Sequence, residues 1–169
     1  PTHSEEKRIS ATLRDLTDFL AKNKLAYEII VVDDGNDNTA GLVKEFSEKN
    51  KRIRLMHFPK RLGKGKAIKE GLLKAQGDAI VYDADASTPP HEIPKLLTAL
   101  KDNDIAIGSR RLHESHAVGT SWYRQIARSF FNLIVRTLFG LPYADTQCGF
   151  KAIKHNAVKK LAPLLTHAG

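Results

Sequence analysis

Tyr27 to Gly35 reads Tyr-Glu-Ile-Ile-Val-Val-Asp-Asp-Gly, and Ala79 to Asp85 reads Ala-Ile-Val-Tyr-Asp-Ala-Asp. Each is a short β-branched run that stops abruptly at a pair of carboxylates. A run of this kind, bounded by turn residues, reads as a strand buried on both faces. The strands are expected at Tyr27–Val32 and Ala79–Tyr82.

Working outward from these two runs, the periodicity changes from two to three-and-four and back again. Glu6 to Asn23 carries Ile9, Leu13, Leu16, Phe19 and Leu20 on one stripe, which predicts a helix. Thr39–Lys49 is helical through Leu42, Val43 and Phe46, and Arg52–Phe58 alternates as a strand. Lys64–Gln76 is helical again through Ile68, Leu72 and Ala75. If Asp33-Asp34-Gly35-Asn36 is a plain tight turn, Gly35 stands at a left-handed position. Ser87-Thr88-Pro89-Pro90 is expected to open a further helix, with hydroxyls at the cap and Pro in the first turn, over Ile93, Leu96, Leu97 and Leu100. A strand at Asp104–Gly108 leads into a polar loop from Ser109 to about Thr120. A strongly apolar helix from Trp122 to Phe139, a strand around Cys148–Ile153 and a helix from Asn156 to Leu165 complete the chain. Strands and helices thus alternate one for one. That argues an α/β fold, a mostly parallel sheet with helices on both faces.

The 169 residues, 41% of them hydrophobic, suffice for one domain with one core. Lysine and arginine total 27 against 19 acidic residues, a net charge of +8. Such an excess suits phosphate-bearing partners: nucleotides, an anionic membrane surface or nucleic acid. Nucleic acid is not expected, because aromatic platforms at regular spacing and recognised motifs are lacking. Cys148 is the single cysteine, so no intrachain disulfide forms. No stretch reaches the roughly 20 apolar residues of a membrane span. The chain opens on Pro1 and its one methionine is Met56, so a processed or partial chain is expected.

In open α/β sheets, ligands bind beyond the carboxyl ends of the strands. Here those ends carry Asp33 and Asp34, Asp83 and Asp85, then Ser109 and Arg110. A divalent metal between carboxylates and a diphosphate accounts for that mixture. Asp83-Ala84-Asp85 is the sharpest pair; its bland alternative is an acidic surface turn. For Asp33-Asp34-Gly35-Asn36 the choice lies between a tight turn and carboxylates that accept hydrogen bonds from a base or ribose. Leu62-Gly63-Lys64-Gly65-Lys66 lacks Walker spacing, and reads either as a phosphate or sugar-hydroxyl loop at a helix start or as a solvated basic turn. His113-Glu114-Ser115-His116 lies in a polar loop without further ligands, and Lys44, Lys49 and Lys51 read as a solvated face.

Six motifs occur in order: Pro1 to Glu6, Val32 to Thr39, Gly63-Lys64-Gly65, Asp83-Ala84-Asp85, Gly108-Ser109-Arg110 and Asp145 to Lys151. Together they resemble the family 2 glycosyltransferases, and among them the dolichyl-phosphate hexosyltransferases. The resemblance implies a GT-A fold, a Rossmann-like three-layer α/β/α sandwich, formed as a single domain over residues 1–169. The family has a strand immediately before Pro1 at the sheet's centre, so the resemblance also implies a domain lacking its first strand and marginal on its own. By the same resemblance, Pro1, His3, Glu5, Asp33, Asp34, Lys64 and Asp83 bind the nucleotide-sugar. Asp83, Asp85 and Ser87 handle a metal, Mg²⁺ or Mn²⁺, and Asp85 takes part in catalysis. Arg110, Arg124 and Arg128 face the acceptor phosphate, and Arg110 also neutralises the leaving diphosphate. Asp145 stands at the family's base position, where it orients cations or the sugar.

The closing Asp-Thr-Gln-Cys-Gly-Phe-Lys is nearest the glucosyl branch, so UDP-glucose is the expected donor, with GDP-mannose the alternative. His3 and Ser4 stand where the family has Tyr and Asn, and Asn36 where it has Ser; these departures fall at the nucleotide end. The implied acceptor is a polyprenyl or dolichyl phosphate, on the cytoplasmic side of a membrane (endoplasmic reticulum or plasma membrane) that the protein meets peripherally or through a segment outside this chain. Trp122–Phe139, with Arg124 and Arg128 one turn apart, is either an interfacial helix or a core helix with a basic edge. Two other readings stay open: transfer to a polysaccharide or soluble acceptor, and a nucleotide-sugar binder without activity.

Overall fold

The computed structural model describes residues 1–85, 87–109 and 148–165. Within them the chain order is α1 (Ile9–Lys22), β1 (Ile29–Asp33), α2 (Thr39–Lys49), β2 (Ile53–His57), α3 (Lys64–Lys74) and β3 (Ala79–Val81). A 3-10 turn at Pro90–Glu92 precedes α4 (Ile93–Leu100); then come β4 (Ile105–Ile107), β5 (Lys151–Ile153) and α5 (His155–Leu161). The Trp122–Phe139 helix, the polar loop before it, Arg110, Arg124, Arg128 and Asp145 lie outside the described residues.

β1 and β2 pair in parallel from Ile29 opposite Ile53 to Asp33 opposite His57. β5 lies between β3 and β4 and runs antiparallel to both, with Ala152 opposite Ile80 on one side and Ala106 on the other. β3 and β4 therefore run the same way, and the one-for-one parallel alternation is broken at β5. The expected strand at Cys148–Ile153 is shorter because Cys148 to Phe150 forms a bend that β4 and the end of β3 pack against.

Adjacent strand residues point to opposite faces, and the core contacts show which helices cover each. Val31 joins Ile9, Leu13 and Val43 of α1 and α2, whereas Val32 meets α3 at Gly71. Ala106, Ala152 and partly buried Ile80 face Leu16 and Leu20 of α1 and Ile93, Leu96 and Leu100 of α4. Ala79 and Ile153 face Leu72 of α3 and Val158 of α5. Helices α1, α2 and α4 thus form one outer layer and α3 and α5 the other. The α/β sandwich follows from alternation within very short strands.

Three local expectations change. The first helix starts at Ile9, because Thr2 to Glu6 is bonded to the β1–α2 connection instead. Ser87 and Thr88 do not cap α4: the Ser87 N–H donates to Asp85 Oδ1, Thr88 offers its carbonyl to the Tyr82 hydroxyl, and the helix begins five residues later. The last helix tightens to a 3-10 turn at Ala162–Leu164, where Pro163 supplies no N–H.

Between β1 and β3 lies a cavity of about 620 Å³ lined by apolar residues of both strands and by α1 and α3. Thr2 enters at its end: the Thr2 N–H donates to Val32 O at 2.8 Å, and the Asp34 N–H donates to Thr2 O at 3.2 Å. Thr2 thereby makes a one-residue parallel bridge to Asp33 on the edge of β1 away from β2.

Candidate active site

A second cavity, of about 250 Å³, opens at the carboxyl ends of β1 and β3. Its wall is built from the Pro1–Glu5 segment, the Asp33–Asp34 turn, the start of α3 and the Asp83–Asp85 turn. Thr2, bridged to Asp33, brings the Pro1–Glu5 segment to the end of β1, while Val81 and Ile107 both pair with Lys151, so the ends of β3 and β4 and the start of β5 share one rim.

The first two motifs zip together. Asp33, at 0% exposure, accepts from the Thr2 hydroxyl at 2.8 Å through Oδ1 and stands 2.9 Å from His57 Nδ1 through Oδ2. Both oxygens are engaged inside the protein, so Asp33 holds the strand end and does not line the cavity. Beyond it, the Glu5 N–H donates to the Thr39 hydroxyl, the Glu6 N–H to Asp37 Oδ2, and the Asn38 N–H to Glu6 Oε2. Gly35 is not left-handed; in this pair of segments the left-handed residue is Ser4, at φ 58°. Glycine is required at 35 for space, because a Cβ there would stand 2.6 Å from the Ser4 backbone nitrogen.

Asp34 ties this assembly to the glycine-rich loop. Its Oδ2 accepts the Leu62 N–H at 2.7 Å and the Gly63 N–H at 3.0 Å, and its Oδ1 lies 2.9 Å from His3 Nδ1. Burial pushes this carboxyl up, but the two amides and His3 outweigh burial and hold it below the usual carboxylate range. It is ionised at neutral pH, so the His3 Nδ1 carries the proton. Gly63 takes φ 80°, which sends Lys64 into the first turn of α3 above the cavity.

Lys64 Nζ then reaches Asp83 Oδ1 at 2.7 Å, with Asp83 27% exposed and Lys64 57%. Asp85 is exposed beside it. Burial of the Asp85 carboxyl acts to raise its pKa, but the Ser87 N–H and hydroxyl, with Arg8 and Lys64 nearby, bring it below the usual range. Asp85 is therefore available as a charged oxygen donor, and Asp83 stands beside it ion-paired with Lys64. Asp83 already holds a cationic group in Lys64, and the side-chain-free Gly149 stands against it. Hard oxygen donors around a place that accepts positive charge fit Mg²⁺ or Mn²⁺. Among the described residues no three His, Cys, Asp or Glu side chains converge as a complete metal cage. Two carboxylates with phosphate and water is the arrangement such ions commonly take.

Of the expected site residues, Pro1, His3, Glu5, Asp34, Lys64, Asp83 and Asp85 line this one cavity. Glu5 is turned toward Arg8, its Oε2 accepting from Nε at 2.7 Å. Ser87 sits on Asp85. Sequence reasoning passed over Arg61, a lining residue whose place directly before the glycine-rich loop was the available signal, and Arg8, whose influence on Asp85 only the fold reveals.

Comparison with known proteins supplies the family and the fold. The family model described as glycosyl transferase family 2 matches residues 1–162. The chain is 34% identical over 178 residues to a dolichyl-phosphate beta-glucosyltransferase of Drosophila melanogaster, covering 95% of this chain and 55% of that protein. It is 32% identical over 177 residues to the dolichyl-phosphate beta-glucosyltransferase of Homo sapiens, with the same two coverages, 95% and 55%. The chain therefore spans about half the length of the curated relatives it matches. Among solved structures, a mannosyltransferase from Pyrobaculum calidifontis in complex with GDP-Man and Mn²⁺ superposes with a TM-score of 0.65 at 22% identity, over 95% of this chain and 44% of that one. That likeness establishes the shared fold, the GT-A α/β arrangement.

Proposed function

The chain belongs to glycosyl transferase family 2, and from that premise we propose that it is the donor-binding and catalytic core of an inverting hexosyltransferase acting on a polyprenyl phosphate of the dolichyl type. The observation that carries the reading is the convergence of Asp83, Asp85, Lys64 and the amide-bearing loop held by Asp34 in one cavity at the strand ends. Such a cavity suits a nucleoside diphosphate bearing a sugar. The names of the relatives support glucose as the sugar and a dolichyl phosphate as the acceptor, and UDP-glucose is the donor we favour.

His3, Asp34 and the Pro1–Glu5 segment form the nucleotide end. Asp83 and Asp85 would hold a divalent cation, Mg²⁺ or Mn²⁺, and Ser87 keeps Asp85 ionised and oriented. When bound, that cation supplies positive charge to the departing diphosphate. Lys64 adds a second positive charge from α3, and Arg110 a third. The acceptor phosphate attacks the anomeric carbon, the bond to the nucleoside diphosphate breaks, and configuration inverts. A phosphate monoester has a second pKa of roughly 6 and is mostly dianionic at neutral pH. It therefore needs little help from a base, and rate is gained chiefly by positioning and charge neutralisation. Asp145 orients these groups, while Arg110, Arg124 and Arg128 receive the acceptor phosphate. The apolar Trp122–Phe139 segment brings the protein to the cytoplasmic surface of the membrane. Among the described residues, no helix is long and apolar enough to cross a membrane.

Calorimetry with UDP-glucose and GDP-mannose, with and without Mn²⁺, tests the donor and the metal together. Metal-dependent binding of UDP-glucose by the wild type, abolished in Asp85→Ala, is expected. Equal metal-free binding by both proteins would remove the metal role of Asp85. Detergent-dispersed polyprenyl phosphate as sole acceptor tests the second substrate: absence of a radiolabelled glycolipid sinks the lipid-phosphate assignment and leaves a polysaccharide or soluble acceptor.

A further inference from the structure

We propose that Gly149 is a positioning residue for Asp83, its missing side chain leaving the space in which the Asp83 carboxylate stands against Lys64. The inference rests on the reading of Asp83 as a ligand of metal and diphosphate, and it adds a member of the site that lies far away in sequence.

A glycine is demanded by a positive φ or by a lack of room. Among the described glycines, Gly63 is the one with positive φ, so the backbone at Gly149 is one that alanine adopts without strain. Room is the reason that remains. A Cβ built on Gly149 falls well inside van der Waals contact of Asp83 Oδ2, 3.1 Å from Asp83 Cγ and 3.2 Å from Lys64 Nζ. Something must shift, and the surroundings determine what.

The backbone around Gly149 has nowhere to retreat. Cys148 and Phe150 on either side are each 6% exposed. The Gly108 N–H donates to Phe150 O at 2.9 Å, and the Phe150 ring meets Tyr82 edge-on at a centroid distance of 6.0 Å. Gly108 packs so closely that a Cβ there would come within 3.0 Å of Phe150 Cδ1. This bend is wedged between the ends of β3 and β4. Asp83 has only one side-chain carbon between its carboxylate and the backbone, and it stands two residues after β3. Adding a methyl group at 149 therefore turns the carboxylate, and turning it breaks the 2.7 Å contact with Lys64. Gly149 touches no reacting atom in this account; it acts through Asp83.

The test is a cycle of four full-length proteins: wild type, Gly149→Ala, Asp83→Ala and the double variant. Each is followed by calorimetric titration of Mn²⁺ with UDP present and by thermal unfolding with neither. Loss of a group that orients a metal ligand typically weakens the metal by about 10–100-fold, and that is the expected effect of Gly149→Ala on Mn²⁺, with native far-UV circular dichroism retained. In the Asp83→Ala background, the alanine at 149 is left against the end of the flexible, exposed Lys64 side chain, which can swing aside, so it should change neither Mn²⁺ binding nor Tm. Wild-type affinity in Gly149→Ala overturns the proposal, and so does an equal drop in Tm in both backgrounds. Should Gly149→Ala fail to fold, a folded double variant with the Tm of Asp83→Ala supports it, and an unfolded double variant overturns it. If the wild type itself binds neither Mn²⁺ nor UDP, the metal reading of Asp83 fails, while the Tm cycle still decides whether Gly149 makes room for Asp83.

Discussion

Asp34 shows how much one residue does here. It accepts two amides of the glycine-rich loop and faces a histidine of the first motif, while sitting at 5% exposure. Asp34→Ala leaves the Leu62 and Gly63 N–H groups without their acceptor, which is expected to cost about 1–3 kcal/mol of stability, read by urea unfolding at pH 7. The pH dependence follows from its depressed pKa. The folded carboxyl titrates below its ordinary value of 3.8, so the stabilisation is complete above that value and is lost as pH falls through the lower folded one. Wild type should therefore lose more stability between pH 5 and pH 2 than Asp34→Asn, which has no proton to take up there; parallel acid limbs would refute this. Gly35→Ala tests the neighbouring contact. Its Cβ must displace Ser4, so the expected result is weaker UDP binding with helix content unchanged, checked by calorimetry and circular dichroism.

Among the elements, α1 couples the two sheets. Ile9 and Leu13 pack on β1 and α2, while Leu16 and Leu20 pack with α4 and the inner face of the β3–β5–β4 sheet. The helix bridges the gap between β1 and β3, and the Thr12 hydroxyl donates at 2.9 Å to the carbonyl of Ala84, inside the Asp83–Asp85 turn. Leu16→Ala is expected to cost about 2–5 kcal/mol, the usual range for truncating a buried leucine, seen as a lower urea midpoint. It should also weaken nucleotide binding, because the two halves of the site sit on the two sheets. A loss of stability with unchanged UDP affinity would show that the halves hold their places without α1.

Across the fold as a whole, the cavity between β1 and β3 is walled by apolar side chains of both strands and of α1 and α3. Apolar walls without partner atoms lose dispersion contacts. On β1, Ile29 and Asp33 bond toward β2, so Val32 and Asp34 bond toward the cavity edge, where Thr2 meets them. Ile30 directs its backbone to that same edge by the alternation of a strand. Five alternating Val and Ile residues placed ahead of Pro1 are expected to continue Thr2 along β1, enter the cavity and raise Tm. A chain of this size gains about 2–4 °C per kcal/mol. The same extension with Pro at its third and fifth positions, whose backbone faces β1 in the register of Thr2, should give no rise, since Pro cannot complete a ladder. Equal Tm for both would show that the cavity does not take a strand.

The α/β class, the helix stripes and the strand ends were legible in the sequence because each rests on local periodicity and on where an apolar run stops. Asp34, Asp83, Asp85 and Lys64 could be named for the same reason: they follow strands or open a helix. Tertiary structure alone decided what each one does. Asp33 and Asp34 are neighbours in the chain, yet one is sealed by Thr2 and His57 and the other holds a loop 28 residues on. The direction of β5, the space required at Gly35 and the meeting of Gly149 with Asp83 depend on contacts between distant segments. Periodicity reports which face of an element is buried, and carries no information about what it is buried against.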